Sequence, residues 1–382
     1  MKLLWLCGVP FELEEKALDG RKVGANAAWS WVMGHLPPPE GVELHIACPA
    51  KNISDKLTIE YRGAVFHLFP SMARGAVYTL YRAWIPGFRG VYDEIEPDWV
   101  HGWGVEAGYG CAAHALDPVH SVIEIQGILA DYYPYIKKSL PFWPALLNER
   151  LSLRQGRRFI AESGYSKRSA EKYSKGRFHV VAQPLREEFL TAEVGPRDLK
   201  QVVFLGAIDE RKGIKDAVQA FAAGAPDNWR LLCVGGGVPE YESEVRSLIK
   251  SLGMEERIEL LGKLEVTEII ELFRRTPVFL LPTYMDTGPN ALKEALAMGL
   301  WPVCYDNSGP KEFVGRTRYG SLSPTGSIDA LTASLKQTLV GKPWETPGRA
   351  DQCIRQIRHE LNPGTVWKEL LKCYSADFWD GL

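Results

Sequence analysis

An apolar run at residues 278–281 is followed by Pro282-Thr283-Tyr284-Met285-Asp286-Thr287-Gly288-Pro289-Asn290-Ala291-Leu292-Lys293-Glu294-Ala295-Leu296-Ala297-Met298-Gly299. The order of strand, loop and helix has a chemical use. Gly288 lets backbone approach a ligand closely, and Pro289 suits a first helical turn. The unpaired N–H groups and the dipole of that turn favour an anion such as a diphosphate. Glu294 falls about one turn into the helix. Helical side chains lean back towards the N-terminus, which brings its carboxylate within reach of a ribose hydroxyl pair. Asp286, in the loop, faces the sugar of such a ligand. The competing reading is a surface helix with a solvated Glu294 and a capping Asp286.

Two further segments fit the same anion. In Phe204-Leu205-Gly206-Ala207-Ile208-Asp209-Glu210-Arg211-Lys212-Gly213-Ile214 a strand ends at Gly206, and a basic pair precedes a glycine and a helix. Lys212 is a mobile point charge suited to phosphate oxygens, although such a pair on a loop is often only solvated. Val234-Gly235-Gly236-Gly237 follows another strand and permits close approach of a nucleotide, or serves as a flexible turn. Neither segment is a G-x-G-x-x-G opening the first βα unit, so a nicotinamide dehydrogenase has little support.

The elements that must carry these residues alternate along the whole chain. Residues 3–7, 43–48, 64–69, 99–103, 122–126, 159–162 and 179–182 are short, apolar and β-branched or aromatic, with helical spacing at 25–33 and 166–173. The pattern restarts with strands at 201–205, 230–234, 258–261, 278–281 and 301–305, separated by helical segments at 214–222, 240–252, 267–274 and 290–298. The fold class is α/β, with two parallel, doubly wound sheets in tandem. Their junction is expected near 189–200, where Gly195-Pro196 interrupts. This gives domains at 1–192 and 193–362, with a C-terminal helix at 363–382 packing back across the junction. In each sheet a ligand binds beyond the carboxyl ends of the strands.

Composition narrows the classes. With 382 residues, 46% apolar and 24% charged, the chain has enough apolar surface for large cores without staples. A net charge of −2 supplies no global field for nucleic acid. Seven scattered cysteines without a C-x-x-C pair argue against a disulfide framework or zinc knuckle and for a reducing, cytoplasmic setting. The apolar stretch at residues 1–8 is too short for a signal peptide and reads as a buried strand. No run approaches the roughly 20 apolar residues of a membrane span.

The ordered set of motifs from 201 to about 314 resembles the retaining family 4 glycosyltransferases, which have the GT-B architecture: two Rossmann-like domains facing across a cleft. The carriers are Lys212-Gly213, Gly235-Gly236, and Asp286 and Glu294 separated by seven residues. They are followed by Ala295, Gly299, Pro302, Val303 and Ser308-Gly309-Pro310-Lys311-Glu312. The resemblance implies that the C-terminal half binds a nucleotide-diphosphate sugar as donor. Lys212 would hold the diphosphate and stabilise the leaving group. Asp286 would sit near the transferred sugar, and Glu294 would bind the ribose. Gly206, Gly235, Gly236 and the backbone of Gly288, Pro289 and Asn290 would contact the donor. Two positions depart from the family pattern. The first carboxylate is one methylene shorter, and Ala207 stands where a phosphate-binding Arg is usual, so that either Arg211 compensates or the protein is slow or inactive.

In the N-terminal half, His101-Gly102-Trp103-Gly104-Val105-Glu106 and Glu124-Ile125-Gln126-Gly127-Ile128 resemble segments of one subgroup, and Gly24 stands in the place of part of its N-terminal glycine pair. They imply an acceptor side lined by Gly24, Trp103, Glu106 and Gln126. Read as residues alone, both segments are equally strand ends with turn glycines. The aromatic and basic stretch 132–158, which includes Lys137 and Lys138, has two readings. One is an interfacial helix that meets membrane or a lipid-linked acceptor; the other is a solvated helix packed on the domain. The chemistry implied is retaining hexosyl transfer to the hydroxyl of a sugar, glycan or lipid-linked acceptor, in surface-polysaccharide or glycolipid synthesis. It needs no obligatory metal or cofactor and no nucleic acid, and it is placed in the cytoplasm or at the inner face of the membrane. The alternatives are a nucleotide-sugar-binding protein without catalysis and a nucleotide-sugar epimerase of the same architecture.

Overall fold

The computed structural model describes residues 1–25, 36–71, 75–135 and 140–382. The helix expected at 25–33 therefore lies, but for Ala25, outside the described residues, as do Lys137 and Lys138. The chain forms two compact units, Met1–Pro184 together with Pro363–Leu382, and Leu185–Asn362.

The first unit holds an eight-stranded sheet. Its strands are β1 (Lys2–Leu6), β2 (Glu43–Ala50), β3 (Leu57–Tyr61), β4 (Ala64–Pro70), β5 (Trp99–Trp103), β6 (Ser121–Ile125), β7 (Arg158–Ala161) and β8 (Arg177–Val180). They run in the order β3-β4-β2-β1-β5-β6-β7-β8. All neighbours are parallel except β3 and β4. That exception follows from the two residues between them: Arg62 and Gly63 both take positive φ, the backbone a two-residue hairpin turn requires. β1 lies in the middle of the sheet and is covered on both faces, which is why it reads as an unbroken apolar run.

One of those covering layers comes from the far end of the chain. The helix Pro363–Cys373 stacks Trp367 on Trp5 with ring centroids 5.5 Å apart, and Trp379 of the short helix Ala376–Asp380 is fully buried. The expected single helix at 366–379 is thus two, broken at Tyr374-Ser375. The break turns Tyr374 inwards. Its hydroxyl accepts from Trp5 Nε1 at 3.0 Å and lies 2.8 Å from His101 Nδ1. Burial drives the His101 pKa down to about 3, so the ring is neutral and this contact joins two uncharged groups.

The second unit is a six-stranded, wholly parallel sheet of β9 (Gln201–Leu205), β10 (Arg230–Val234), β11 (Ile258–Gly262), β12 (Val278–Leu281), β13 (Trp301–Tyr305) and β14 (Ser321–Ser323), ordered β11-β10-β9-β12-β13-β14. Helices Ile214–Gly224, Pro239–Ser251, Val266–Arg275 and Asn290–Ala297 stand where helical spacing was read, the third fixed at its start by a reciprocal Glu265–Glu268 capping box. The second unit begins at Leu185, ahead of the expected boundary at 192. Arg186 and Phe189 are responsible: Arg186 bonds Glu294, and Phe189 packs 6.2 Å from the ring of Phe273. One wholly parallel sheet and one that is parallel but for β3 make the fold α/β with two Rossmann-like domains. Among the described residues no helix is long and apolar enough to cross a membrane.

Tyr374 offers a direct test of the first unit's core. Tyr374→Phe removes the one hydroxyl that meets two buried nitrogens. It should lower unfolding free energy by roughly 1–3 kcal/mol. Urea denaturation followed by tryptophan fluorescence measures this, and a loss within experimental error would show that the hydroxyl bridges nothing.

Candidate functional site

In a doubly wound sheet the strand order reverses at one point, and ligands bind there, beyond the carboxyl ends. In the second unit β9, β10 and β11 step one way and β12, β13 and β14 the other, so the reversal falls between β9 and β12. The loops leaving these two strands are residues 206–213 and 282–289, which carry the basic pair and Asp286. The sheet's connectivity alone therefore brings together segments far apart in sequence.

Their contact is ionic. Lys212 Nζ bonds Asp286 Oδ2, and Arg211 Nη1 lies 3.6 Å from the same oxygen while donating to the Met285 carbonyl at 2.9 Å. The backbone of both loops is fixed by short-range bonds. Lys212 N–H donates to Asp209 Oδ1, Tyr284 N–H and Thr283 Oγ1 donate to the Arg211 carbonyl, and Asp286 N–H donates to Ser308 Oγ. Gly213 is required where it stands: its φ is +72°, and a Cβ there would lie 2.0 Å from the Pro282 carbonyl oxygen. Gly235 has φ +137°, and its Cβ would lie 1.8 Å from the Gly206 carbonyl oxygen, so the strand ends of β9 and β10 close on each other only with glycine. Gly236 is roomier, its nearest contact being Lys263 Cε at 3.3 Å. Gly206 underlies the Lys212 stem, with Lys212 Cδ 3.6 Å from where a Cβ would be.

The helix Asn290–Ala297 begins one residue later than a Pro289 start would give, with Pro289 as its extended N-cap and no side chain capping the first turn. Gly288 and Pro289 are buried beside it. Asn290 Oδ1 is buried without a hydrogen-bond partner among the described residues. A buried acceptor left open at a helix start is unfavourable unless a ligand donor meets it.

Glu294 is not a solvated helix residue. Its side chain is 3% exposed, and Oε1 accepts from Arg186 Nε at 2.9 Å, with Nη2 at 2.8 Å. Burial raises its pKa to about 7 against the opposing effect of Arg186. The sequence reading missed Arg186; nothing at position 186 marks it before the fold brings it to Glu294. It also missed Asp216, whose Oδ2 accepts from Tyr284 OH at 2.7 Å and Tyr305 OH at 2.6 Å and so props the 282–289 loop from beneath. The Ser308-Gly309 segment clamps the same loop: Gly309 N–H donates to the Asp286 carbonyl at 2.8 Å, and a Cβ on Gly309 would lie 2.5 Å from the Thr287 carbonyl oxygen.

The first unit's reversal point lies between β1 and β5. Glu106, just beyond β5, is there: Oε2 is buried without a hydrogen-bond partner among the described residues, and burial raises its pKa. Nearby Glu149 caps the backbone N–H groups of Leu129 and Ala130, its pKa raised to about 7 first by burial and further by Glu106. Gln126 is half-buried at the end of β6. Gly24 takes φ +83° between Val23 and Ala25, whose N–H groups both donate to Glu14 Oε1. Trp103 corrects the expectation of an acceptor contact. It is 2% exposed, stacked on His101 at 4.6 Å and tilted against Trp5 at 4.8 Å, because its side chain points into the sheet's covered face. Among the described residues no three His, Cys, Asp or Glu side chains are grouped to hold a metal ion.

Residues 186–358 match the family model described as Glycosyl transferases group 1. The fold is GT-B. Over 147 residues the chain is 30% identical to the putative colanic acid biosynthesis glycosyltransferase WcaL of Salmonella typhimurium, covering 36% of this chain and 35% of that one. The chain spans from 15% to about half of the length of the curated relatives it matches. Among solved structures it resembles sucrose-phosphate synthase from Thermosynechococcus elongatus, with TM-score 0.78, 16% identity and 98% of both chains covered. It also resembles HepE from Anabaena, solved with UDP and glucose, with TM-score 0.72, 16% identity and all of both chains covered.

Glu294 sets a pH dependence. A carboxyl whose folded pKa lies above its unfolded value binds its proton more tightly when folded, so its contribution to stability falls as pH rises from about 4.5 to about 7. Glu294→Gln is expected to flatten that slope in the melting temperature of the second unit, measured between pH 4.5 and 8. A slope equal to that of the parent protein would place the Glu294 pKa near its ordinary value.

Proposed function

We propose that this chain is a retaining glycosyltransferase that moves a hexose-type sugar from a nucleotide-diphosphate sugar to a hydroxyl acceptor, in the synthesis of a surface polysaccharide or glycolipid. The observation that carries this reading is the meeting of Arg211, Lys212 and Asp286 at the strand-order reversal of the unit that matches the group 1 model, beside the uncapped start of the helix Asn290–Ala297. Two cations and a helix N-terminus suit a diphosphate, and they stabilise the negative charge that grows on it as the sugar leaves. Lys212 would exchange Asp286 for a phosphate oxygen, and the released Asp286 carboxylate would face the sugar. Arg211 would stand in for the arginine that Ala207 replaces. Gly206, Gly235, Gly236, Gly288 and Pro289 would let backbone reach the donor, and Asn290 Oδ1 would accept from a donor hydroxyl. Glu294, held by Arg186, would bind the ribose.

The sequence offers no evident pair of carboxylates for double displacement, so the reading is front-face attack. The acceptor hydroxyl approaches as the nucleoside diphosphate departs, and a departing phosphate oxygen takes the proton. The acceptor would lie against Gly24, Glu106 and Gln126 of the first unit. The relatedness of WcaL supports a polysaccharide setting, and the UDP and glucose in HepE make uridine diphosphate sugars the first donors to test. Seven free cysteines fit a cytoplasmic protein, and an acceptor on a lipid would bring it to the inner face of the membrane.

Ala207 favours one competing reading, a protein that binds the donor without turnover. Donor titration with product analysis separates the two. Lys212→Ala should lower transfer by about 10²–10³-fold in protein that remains folded. Normal transfer by that variant would remove the assignment, whereas donor affinity with neither transfer nor hydrolysis in the parent protein would establish the binder.

A further inference from the structure

The first unit contains a cavity of about 480 Å³ at the amino-terminal ends of β7 and β8, the end of the sheet opposite to the one that carries Glu106 and Gln126. Its lining is strongly cationic: Arg154, Arg157, Arg158, Lys175 and Arg177 against the single carboxylate of Asp380. Asp380 pairs with Arg177 at 3.1 Å. Arg158 donates to the Val119 carbonyl and lies over the Trp99 ring. Arg154, Arg157 and Lys175 are exposed and have no acidic partner among the described residues.

The fold holds these charges together. Residues 156–158 lead into β7 and residues 175–177 into β8, and Arg177 N–H donates to the Arg157 carbonyl at 2.8 Å. Both segments lie on one ring. A Cβ at Gly156 would stand 2.4 Å from Phe159 Cζ, and one at Gly176 would stand 2.5 Å from Phe159 Cε2. Glycine at both positions lets the two cationic segments run side by side over Phe159, with buried Trp379 forming another wall. The crowding registers on Arg158, whose pKa is lowered first by burial and further by Arg157 and Arg177, against the effects of Asp380 and Asp117. Like charges gathered at fixed spacing and left uncompensated are unfavourable unless an anion joins them.

We propose that this cavity is a phosphate-binding site, built for a phosphate monoester or diester held by Arg154, Arg157 and Lys175. The same chemistry is offered by a soluble phosphorylated molecule and by the head group of an anionic lipid, and the helix Phe142–Gln155 bears on this choice. Trp143, Leu147 and Arg154 follow one another at helical spacing on its outer stripe, with Trp143 53% and Leu147 52% exposed. An apolar stretch leading to a cationic pocket is the arrangement of a surface that lies on phospholipid.

The test uses the full-length protein. Inorganic phosphate is titrated calorimetrically, and binding to phosphatidylcholine vesicles with and without phosphatidylglycerol is followed by flotation. The parent protein is expected to bind at least one of these probes, more weakly as salt rises. Arg157→Glu with Lys175→Glu should weaken that binding by about tenfold or more, leaving donor binding by the second unit unchanged. Retention of phosphate with no attachment to phosphatidylglycerol vesicles assigns a soluble ligand, and attachment to those vesicles assigns a lipid head group. Failure of the parent protein to bind either probe, or equal binding by the variant, overturns the proposal. If the double charge reversal lowers the melting temperature, Arg157→Gln with Lys175→Gln makes the same comparison.

Discussion

The second unit is organised around charges that the backbone forces to meet. Lys212 and Asp286 are 74 residues apart in sequence, yet each leaves the end of one of two neighbouring strands, so sheet pairing determines their meeting before any side chain is placed. Bringing a lysine and a carboxylate together with 15% and 12% side-chain exposure costs desolvation that their attraction only partly offsets. The surrounding backbone bonds, the Ser308–Gly309 clamp and the two tyrosines on Asp216 remove the freedom the loops would otherwise use to escape. If the proposed function holds, a more highly charged phosphate group would offer Lys212 a stronger partner without requiring the loops to rebuild.

Much of this was legible before any coordinates, for a physical reason. Parallel strands buried on both faces must be apolar throughout, and loops at their carboxyl ends must be rich in glycine where backbones close on one another, so Gly213, Gly235 and the 282–289 loop stand out in one dimension. What stayed hidden depends on pairing across space. The Arg186 partner that holds Glu294 and the Tyr284 and Tyr305 hydroxyls that converge on Asp216 come from distant parts of the chain, so neither contact is visible in one dimension. β14 is three residues long, too short to carry a period. β3 was missed although its Leu57-Thr58-Ile59-Glu60-Tyr61 alternates apolar and polar residues with the period of a strand covered on one face. Trp103 misleads for the opposite reason. Its neighbours Gly102 and Gly104 look like a ligand loop, but residue 103 is the last of β5 and its ring turns into the core.

The boundary between the units shows how a local break can mislead. Gly195-Pro196 interrupts secondary structure as expected, but interruption and membership are different properties. Residues 185–194 belong with the second unit because Leu185 N–H donates to the Leu361 carbonyl and Phe189 is buried against Phe273, contacts that no composition shift records.

The first unit is not a continuous stretch of chain. Its core is completed by Trp367, Tyr374 and Trp379, which follow the whole of the second unit in sequence. During synthesis on the ribosome, residues 185–362 emerge as an uninterrupted segment and can close their sheet at once. The earlier 184 residues must wait with the Trp5 face of β1 uncovered until the last helices arrive. Until residues 363–380 are made, nascent chains of this protein therefore carry an exposed aromatic surface, a natural binding place for a chaperone.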